Sequence, residues 1–316
     1  MSFVMNKVFI LTPESEKFAQ RVQAHQLPQL EILASDAVPE NLAGIKGCNI
    51  VLGQPALVAQ ILPQMPQIKW VQSTFAGIDA LCQPGLRKDY HLTGVKEVFS
   101  SYMSEYVFLY ILVFERNFLE SLENQRKATW LDLPYRGLQG LTLGVCGFGS
   151  IGKRIAQTAA HFRMRVFGYN SNGTPSPYAE QVYRESTLEA FLAPLDYLVI
   201  TLPSTPHTRH LINYARLQQM RSSAVLINVG RGEVVAEQDL IHALKEKMIR
   251  GAILDVFEEE PLPAKSPLWK MPNVFITPHN AAFSFPEDIT KIFVDNYLRF
   301  LKQETLQYVI DLKRGY

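Results

Sequence analysis

The stretch Leu141-Thr142-Leu143-Gly144-Val145-Cys146-Gly147-Phe148-Gly149-Ser150-Ile151-Gly152 decides the fold. Its first six residues are apolar or small and read as a buried strand. Three glycines spaced G-x-G-x-x-G follow at once, and residues 153–161 continue as a helix. Each glycine has a reason in that frame. Gly147 permits the tight turn, Gly149 lets backbone come close to a ligand, and Gly152 lets the helix sit close on the strand. The exposed amides and the helix N-terminus then suit an anion such as a pyrophosphate. Gly147, Phe148, Gly149, Ser150, Ile151 and Gly152 are therefore the candidate cofactor turn. The alternative is a glycine-rich turn without a ligand, and the strand–turn–helix context is what argues against it.

Downstream, strands are expected at 165–169, 197–202, 224–229, 252–256 and 274–277. Helical segments separate them, as at 240–247 with Asp239 near the start. Five or six strands in this order, with the glycine turn after the first, predict a doubly wound parallel sheet. Upstream, short strands at 7–11, 30–33, 49–52, 69–72 and 92–95 alternate with helical stretches, punctuated by Pro39, Gly44, Gly47, Pro63, Pro66, Gly77 and Pro84. That pattern predicts a second parallel sheet. Between the two units a long helix is expected over 101–125, its apolar first half covered on both sides, followed by a polar connector at 127–139. The tail at 286–301 repeats Ile289, Ile292, Phe293, Asn296, Tyr297 and Phe300 at helical spacing. Periodicity leaves open which unit this helix packs on.

The totals bound the function. A chain of 316 residues accommodates two domains, each with its own core. Lys and Arg number 31 against 30 for Asp and Glu, so no global field points to nucleic acid or an anionic membrane. Cys48, Cys82 and Cys146 are far apart and form no CxxC pair, so neither a disulfide framework nor a zinc site is expected, and a reducing cytoplasm fits. The longest unbroken apolar run, 106–114, is far short of the roughly 20 residues that span a bilayer. Residues 7–11 read as a first strand rather than a signal peptide.

Strand ends carry the candidate chemistry. After 165–169 come Asn170-Ser171-Asn172, where an NAD-specific site places a carboxylate on the ribose hydroxyls. With no acid to repel a 2′-phosphate and with side-chain donors present, the reading leans to NADP, although no Arg follows. The alternative, Asn170 bonded to the ribose of NAD, stays open. Of the seven histidines most are surface or packing residues. His207 and His210 lie three apart in a Pro- and Thr-rich loop with no acidic partner nearby, so no metal is expected there. His279 is different. It ends a strand, as do Arg231 in Asn228-Val229-Gly230-Arg231-Gly232 and Glu260 after Leu254-Asp255-Val256. One imidazole, one carboxylate and one guanidinium thus leave strands at the edge where open α/β sheets bind ligands.

The ordered blocks Ser73-Thr74-Phe75-Ala76-Gly77-Ile78-Asp79, Gly147–Gly152, Leu202-Pro203-Ser204-Thr205-Pro206-His207-Thr208, Asn228–Gly232, 251–257 with Glu260-Pro261, and Pro278-His279-Asn280-Ala281 resemble the D-isomer-specific 2-hydroxyacid dehydrogenase family over nearly the whole chain. Within it the glyoxylate/hydroxypyruvate reductase branch is most similar, with Ser266-Pro267-Leu268-Trp269 and the ending Lys313-Arg314-Gly315-Tyr316 as lesser support. The resemblance implies a Rossmann cofactor domain at 101–282 inserted in a flavodoxin-like substrate domain at 1–100 and 283–316. It implies that His279 is the acid, that Glu260 pairs with it, and that Arg231 grips the substrate carboxylate and polarises the carbonyl. Glu260 is preferred to Glu258 and Glu259 because it alone precedes Pro261. Backbone around Phe75, Ala76 and Gly77 would hold the carboxylate, Asp255 and Val229 would lie by the nicotinamide, and Pro203 along the adenine. Asp255 has a second reading, as a turn cap. Phe75 departs from the glycine of many relatives, which favours a short substrate such as glyoxylate or hydroxypyruvate. A phosphoglycerate-type dehydrogenase and a cofactor-sensing corepressor are the competing readings. The family also implies a homodimer formed through the cofactor domain, to which the apolar helix after Ser104 contributes.

Overall fold

The computed structural model describes residues 5–312. The ending 313–316, one of the branch markers, lies outside them. The chain divides into two units, one running to Phe99 and resuming at Ser284, the other Ser100–Phe283.

The first unit is a parallel sheet of β1 (Asn6–Leu11), β2 (Leu30–Ser35), β3 (Ile50–Gly53), β4 (Trp70–Ser73) and β5 (His91–Thr93), in the order β2-β1-β3-β4-β5. Helices α1 (Ser15–Ala24) and α2 (Pro55–Ile61) belong to it. This 2-1-3-4-5 order is the flavodoxin-like one. The tail helix, α9 (Pro286–Leu301), joins this unit: it lies against α1, Phe293 and Phe300 stack on Trp70 of β4, and the Tyr297 hydroxyl donates to the Pro28 and Gln29 carbonyls. The apolar stripe read from periodicity supplies these contacts.

The second unit holds seven parallel strands: β6 (Thr142–Cys146), β7 (Arg165–Tyr169), β8 (Gln181–Tyr183), β9 (Tyr197–Ile200), β10 (Val225–Asn228), β11 (Gly251–Leu254) and β12 (Val274–Ile276). Their order is β12-β11-β10-β9-β6-β7-β8. Chain order reverses between β6 and β9, the switch point at which doubly wound sheets open a crevice. Successive side chains feed opposite faces. Tyr197, Val199, Val225 and Ile227 enter one core with Leu143 and Val145, while Leu198, Ile200 and Leu226 enter the other. Helices α3 (Val98–Glu115), α4 (Phe118–Arg126), α5 (Ser150–His161), α6 (Leu188–Leu192), α7 (Tyr214–Leu217) and α8 (Glu237–Lys245) complete the element list.

Three expectations need correction. The sheet has a seventh strand, β8, only three residues long and at the edge, too short to announce itself. The long helix is two: Asn117 adopts φ 48°, ψ 40°, a left-handed conformation that Asn tolerates and an α-helix cannot continue through. Nor is the first of them covered on both sides. Helix α3 buries Val107, Phe108 and Ile111 against the sheet, but Leu109 is more than half exposed. By length and composition alone α3 could cross a membrane; its buried face and its hydrogen bonds through Ser104 and Tyr106 to Thr158 and Thr277 make it a helix of this domain. Cys48, Cys82 and Cys146 are free thiols.

Candidate active site

Because the seven strands are parallel, all their C-terminal ends lie on one edge. The glycine turn leaves β6 there, Asn170 leaves β7, Pro203 follows β9, Val229 and Arg231 follow β10, Asp255 and Glu260 follow β11, and His279 follows β12.

The turn is built as its glycines demand. Gly147 has φ 108°, and its N–H donates to the Tyr169 carbonyl. A Cβ on Gly152 would stand 2.1 Å from the Gly147 carbonyl oxygen and 2.9 Å from Val145, so helix α5 meets β6 with no room for a side chain. Gly149 faces open space, with nothing within 4 Å of where its Cβ would be. Ser150 and Ile151 open the twelve-residue helix α5. Open space, a glycine and a helix N-terminus together fit a pyrophosphate. Phe148 differs from its neighbours. Its ring lies over Gly168 of β7, so only its backbone is available to a ligand.

The trio comes from the adjacent strands β10, β11 and β12. His279 is held in a left-handed conformation, φ 52°, by its N–H bonds to the Asp255 and Thr277 carbonyls. Its Nδ1 lies 2.8 Å from Glu260 Oε2. The second oxygen, Glu260 Oε1, accepts the Phe257 N–H at 3.0 Å. Nδ1–H therefore donates to Glu260, and Nε2 is left for a substrate. Arg231 Nη1 donates to its neighbour's carbonyl, Gly230 O, at 2.8 Å, while Asn228 Nδ2 holds the Arg231 carbonyl at 2.9 Å. The hydrogen bond to Glu260 raises the His279 pKa above the usual imidazole range, against burial and the nearby Arg231 charge. For Glu260, burial is the largest influence and works upward. The His279 and Phe257 hydrogen bonds, with the His279 and Arg231 charges, outweigh it and hold the carboxyl below its ordinary value. The geometry therefore favours an ionic imidazolium–carboxylate pair beside a guanidinium.

Asp255 is almost wholly buried, and its carboxylate is occupied. Thr277 Oγ1 donates to Oδ1 at 2.6 Å, the Asn280 N–H at 2.9 Å, and the Ala281 N–H reaches both oxygens at 3.1 Å. With its own proton on Asp255, Thr277 accepts from the Tyr106 hydroxyl at 2.6 Å. Asp255 thus ties down the loop that carries His279, which fits the turn-cap reading. Tyr106 and Thr277 were not legible as site residues, since nothing local marks a hydroxyl pair 171 positions apart. Gly232 was also missed as a contact. A Cβ there would fall 1.9 Å from the Phe257 carbonyl carbon, so the Arg231 loop rests directly on the Glu260 loop.

The remaining candidates are placed as follows. Val229 is buried, its N–H on the Ile200 carbonyl, and Pro203 is exposed with its carbonyl held by Thr208 Oγ1. His210 is paired with Glu258 at 2.8 Å, and among the described residues no cluster of His, Cys, Asp and Glu could hold a metal ion. In the first unit, Phe75 and Ala76 are exposed on the loop after β4. Ser73 Oγ fixes that loop by accepting the Phe75 N–H and donating to the Phe75 carbonyl.

Residues 108–281 match the family model for the NAD-binding domain of D-isomer specific 2-hydroxyacid dehydrogenases. The chain belongs to the D-isomer specific 2-hydroxyacid dehydrogenase family. As a 2-hydroxyacid dehydrogenase it is an oxidoreductase of the NAD(P)-dependent kind. It is 34% identical over 298 residues to glyoxylate/hydroxypyruvate reductase B of Yersinia enterocolitica, covering 89% of this chain and 90% of that one. A family member from Aeromonas salmonicida shares its structure with a TM-score of 0.93 at 40% identity, over 98% of this chain and 99% of that one. The NADPH-dependent glyoxylate/hydroxypyruvate reductase of Sinorhizobium meliloti, solved with NADP and sulfate, gives a TM-score of 0.88 at 28% identity, over 98% and 100%. The dehydrogenase fold of two parallel-sheet domains is thus shared along the full length.

Proposed function

We propose that this dehydrogenase reduces a short 2-keto acid of the glyoxylate or hydroxypyruvate type to the D-2-hydroxy acid, with NADPH preferred to NADH. The observation that carries the reading is the Arg231–Glu260–His279 arrangement on the sheet edge that also bears the glycine turn. A nicotinamide cofactor held at the Gly147–Gly152 turn would supply the hydride for the keto carbon. As the C=O π pair moves onto oxygen, His279 Nε2 gives that oxygen its proton, and solvent later restores it. Glu260 fixes the ring through Nδ1 and favours the charged form. Arg231 offers a planar fork of donors to the substrate carboxylate and the carbonyl oxygen. The Gly147–Gly152 turn holds the cofactor pyrophosphate, with Val229 and Pro203 along its length. Asp255 serves the site by holding the His279 loop. His279→Ala should abolish keto-acid turnover while leaving nucleotide binding intact; lost nucleotide binding would make His279 structural and defeat the assignment.

The unit formed by residues to 99 and from 284 onward is the substrate domain on this reading. Its loop Phe75-Ala76-Gly77 is an anion-binding loop in its own right. Among the described residues no hydrogen bond engages the Ala76 and Gly77 N–H groups, as a carboxylate site requires.

The enzyme is a cytoplasmic homodimer. Its three free thiols suit a reducing compartment. Leu109, Phe118, Leu119, Leu131 and Tyr135 are exposed within one stretch of the cofactor unit, and Trp130 is fully so. So many large apolar side chains in so short a segment suit a self-association face. Light scattering should give twice the 35.8 kDa chain mass; a monomer at micromolar concentration would refute the dimer.

A further inference from the structure

We propose that Arg184, at the end of the edge strand β8, is the residue that reads the 2′-phosphate of NADPH. The inference rests on the cofactor reading above. The ribose site of a doubly wound sheet lies at the end of the second strand, here β7. The loop there, Asn170-Ser171-Asn172-Gly173-Thr174, contains no carboxylate to repel a phosphate. Its polar side chains are nevertheless engaged within the loop. Asn170 Oδ1 accepts the Asn172 and Thr174 N–H groups, its Nδ2 donates to the Thr174 carbonyl, and Ser171 Oγ donates to Asn172 Oδ1. Asn170 therefore shapes the loop, and the positive charge a phosphate needs must come from elsewhere.

Strand β8 supplies it. Tyr183 pairs with Tyr169 in parallel register, and the Asn170 N–H donates to the Tyr183 carbonyl at 3.1 Å. The next residue, Arg184, therefore stands beside Asn170. Its aliphatic stem lies on the loop: a Cβ on Gly173 would meet Arg184 Cβ, Cδ and Cγ at 3.5, 3.7 and 3.8 Å. Its backbone is fixed, since the Arg184 N–H donates to Thr187 Oγ1 at 3.1 Å and the Arg184 carbonyl accepts from Thr187 N and Oγ1. The residue is exposed, and the hydrogen bonds found for it among the described residues are those of its backbone, with none and no ion pair at its guanidinium. Arg184 is thus an anchored stem ending in an available bidentate donor at the ribose end of the cofactor site. A 2′-phosphate takes such a fork well; the bare 2′-hydroxyl of NADH gains little from it.

The test is titration calorimetry of the wild type, Arg184→Ala and Arg184→Lys with NADPH, NADH, 2′,5′-ADP and 5′-AMP. A charge-assisted contact of this kind predicts that Arg184→Ala weakens NADPH and 2′,5′-ADP by roughly 10- to 100-fold. NADH and 5′-AMP should be unchanged within about twofold, and Lys should restore part of the loss, since it keeps the charge but not the fork. Equal losses for both nucleotides would make Arg184 structural, and unchanged NADPH affinity would leave the phosphate to another group; either overturns the proposal alone. A wild type that binds neither nucleotide would overturn the cofactor reading beneath it.

Discussion

Replacing Gly232 by Ala tests whether the two loops that carry Arg231 and Glu260 are set by direct contact. An added Cβ would stand 1.9 Å from the Phe257 carbonyl carbon, 2.0 Å from its oxygen and 2.5 Å from the Glu258 nitrogen. Real Cβ contacts stay beyond 3.0 Å, so one loop must retreat by about 1 Å. All three obstructing atoms are backbone, so no side chain can swing aside. Phe257 is the residue whose N–H holds Glu260 Oε1, and Glu260 Oε2 in turn holds His279. A retreat of the Phe257 loop therefore moves the carboxylate off the imidazole, and a retreat of the Arg231 loop moves the guanidinium. A 1 Å misplacement of reacting groups costs on the order of 100-fold, and overpacking costs about 1–3 kcal/mol of stability. We expect Gly232→Ala to lower kcat/KM for glyoxylate about 100-fold and to depress Tm by several degrees. NADPH affinity, measured by nucleotide fluorescence, should change little, because the Gly147–Gly152 turn is elsewhere on the edge. A folded variant with kcat/KM within threefold of wild type would refute the contact argument.

Two further outcomes follow from the charged groups. His279 must be protonated for reduction, and its hydrogen bond to Glu260 raises its pKa, so keto-acid reduction should persist above the ordinary imidazole range and fall as pH rises through the raised value. Glu260→Gln should bring that alkaline limb of the kcat/KM profile to lower pH; an unmoved limb would show that Glu260 does not tune His279. At the opposite edge of the sheet, buried Glu115 accepts from Arg136 Nε and Nη2, Arg250 Nη1 and the Tyr197 hydroxyl. Breaking a buried pair costs about 3–5 kcal/mol, and since both arginines keep more than a third of their side chains in water we expect about 3 kcal/mol for Glu115→Gln in urea unfolding at pH 7. Burial, the largest influence on Glu115, raises its pKa, but the Arg136 and Tyr197 hydrogen bonds and the two arginine charges depress it below the ordinary carboxylate value. Its contribution is then present above that value and lost as pH falls through the depressed one. The gap between variant and wild type should shrink accordingly in acid; a gap independent of pH would assign the loss to packing.

The parallel sheets and the glycine turn were legible in sequence because each is local; Arg231, Glu260 and His279 were candidates by their place at strand ends, and the family resemblance singled them out. A short apolar run bounded by turn residues marks a buried parallel strand, G-x-G-x-x-G set directly between such a strand and a helix marks a turn where backbone and helix approach closely, and in a parallel sheet any polar residue just past a strand reaches the same edge. The break at Asn117 was not legible, because a single residue's left-handed conformation leaves the helical period on either side intact. Strand β8 was not, because three residues at a sheet edge carry too little pattern. What the polar groups do with their hydrogen bonds was decided only by tertiary structure. Asn170, read as a phosphate donor, closes its own loop, while Arg184, fourteen positions later, is brought beside it by strand pairing. Asp255, Thr277 and Tyr106 become one hydroxyl–carboxylate chain only when α3 lies against β12. Sequence by itself determined which residues stand at the edge of the sheet, since that follows from chain order and strand period. Which of them hold each other, and which are left to hold a ligand, depends on contacts between residues far apart in the chain, and those exist only in the folded molecule.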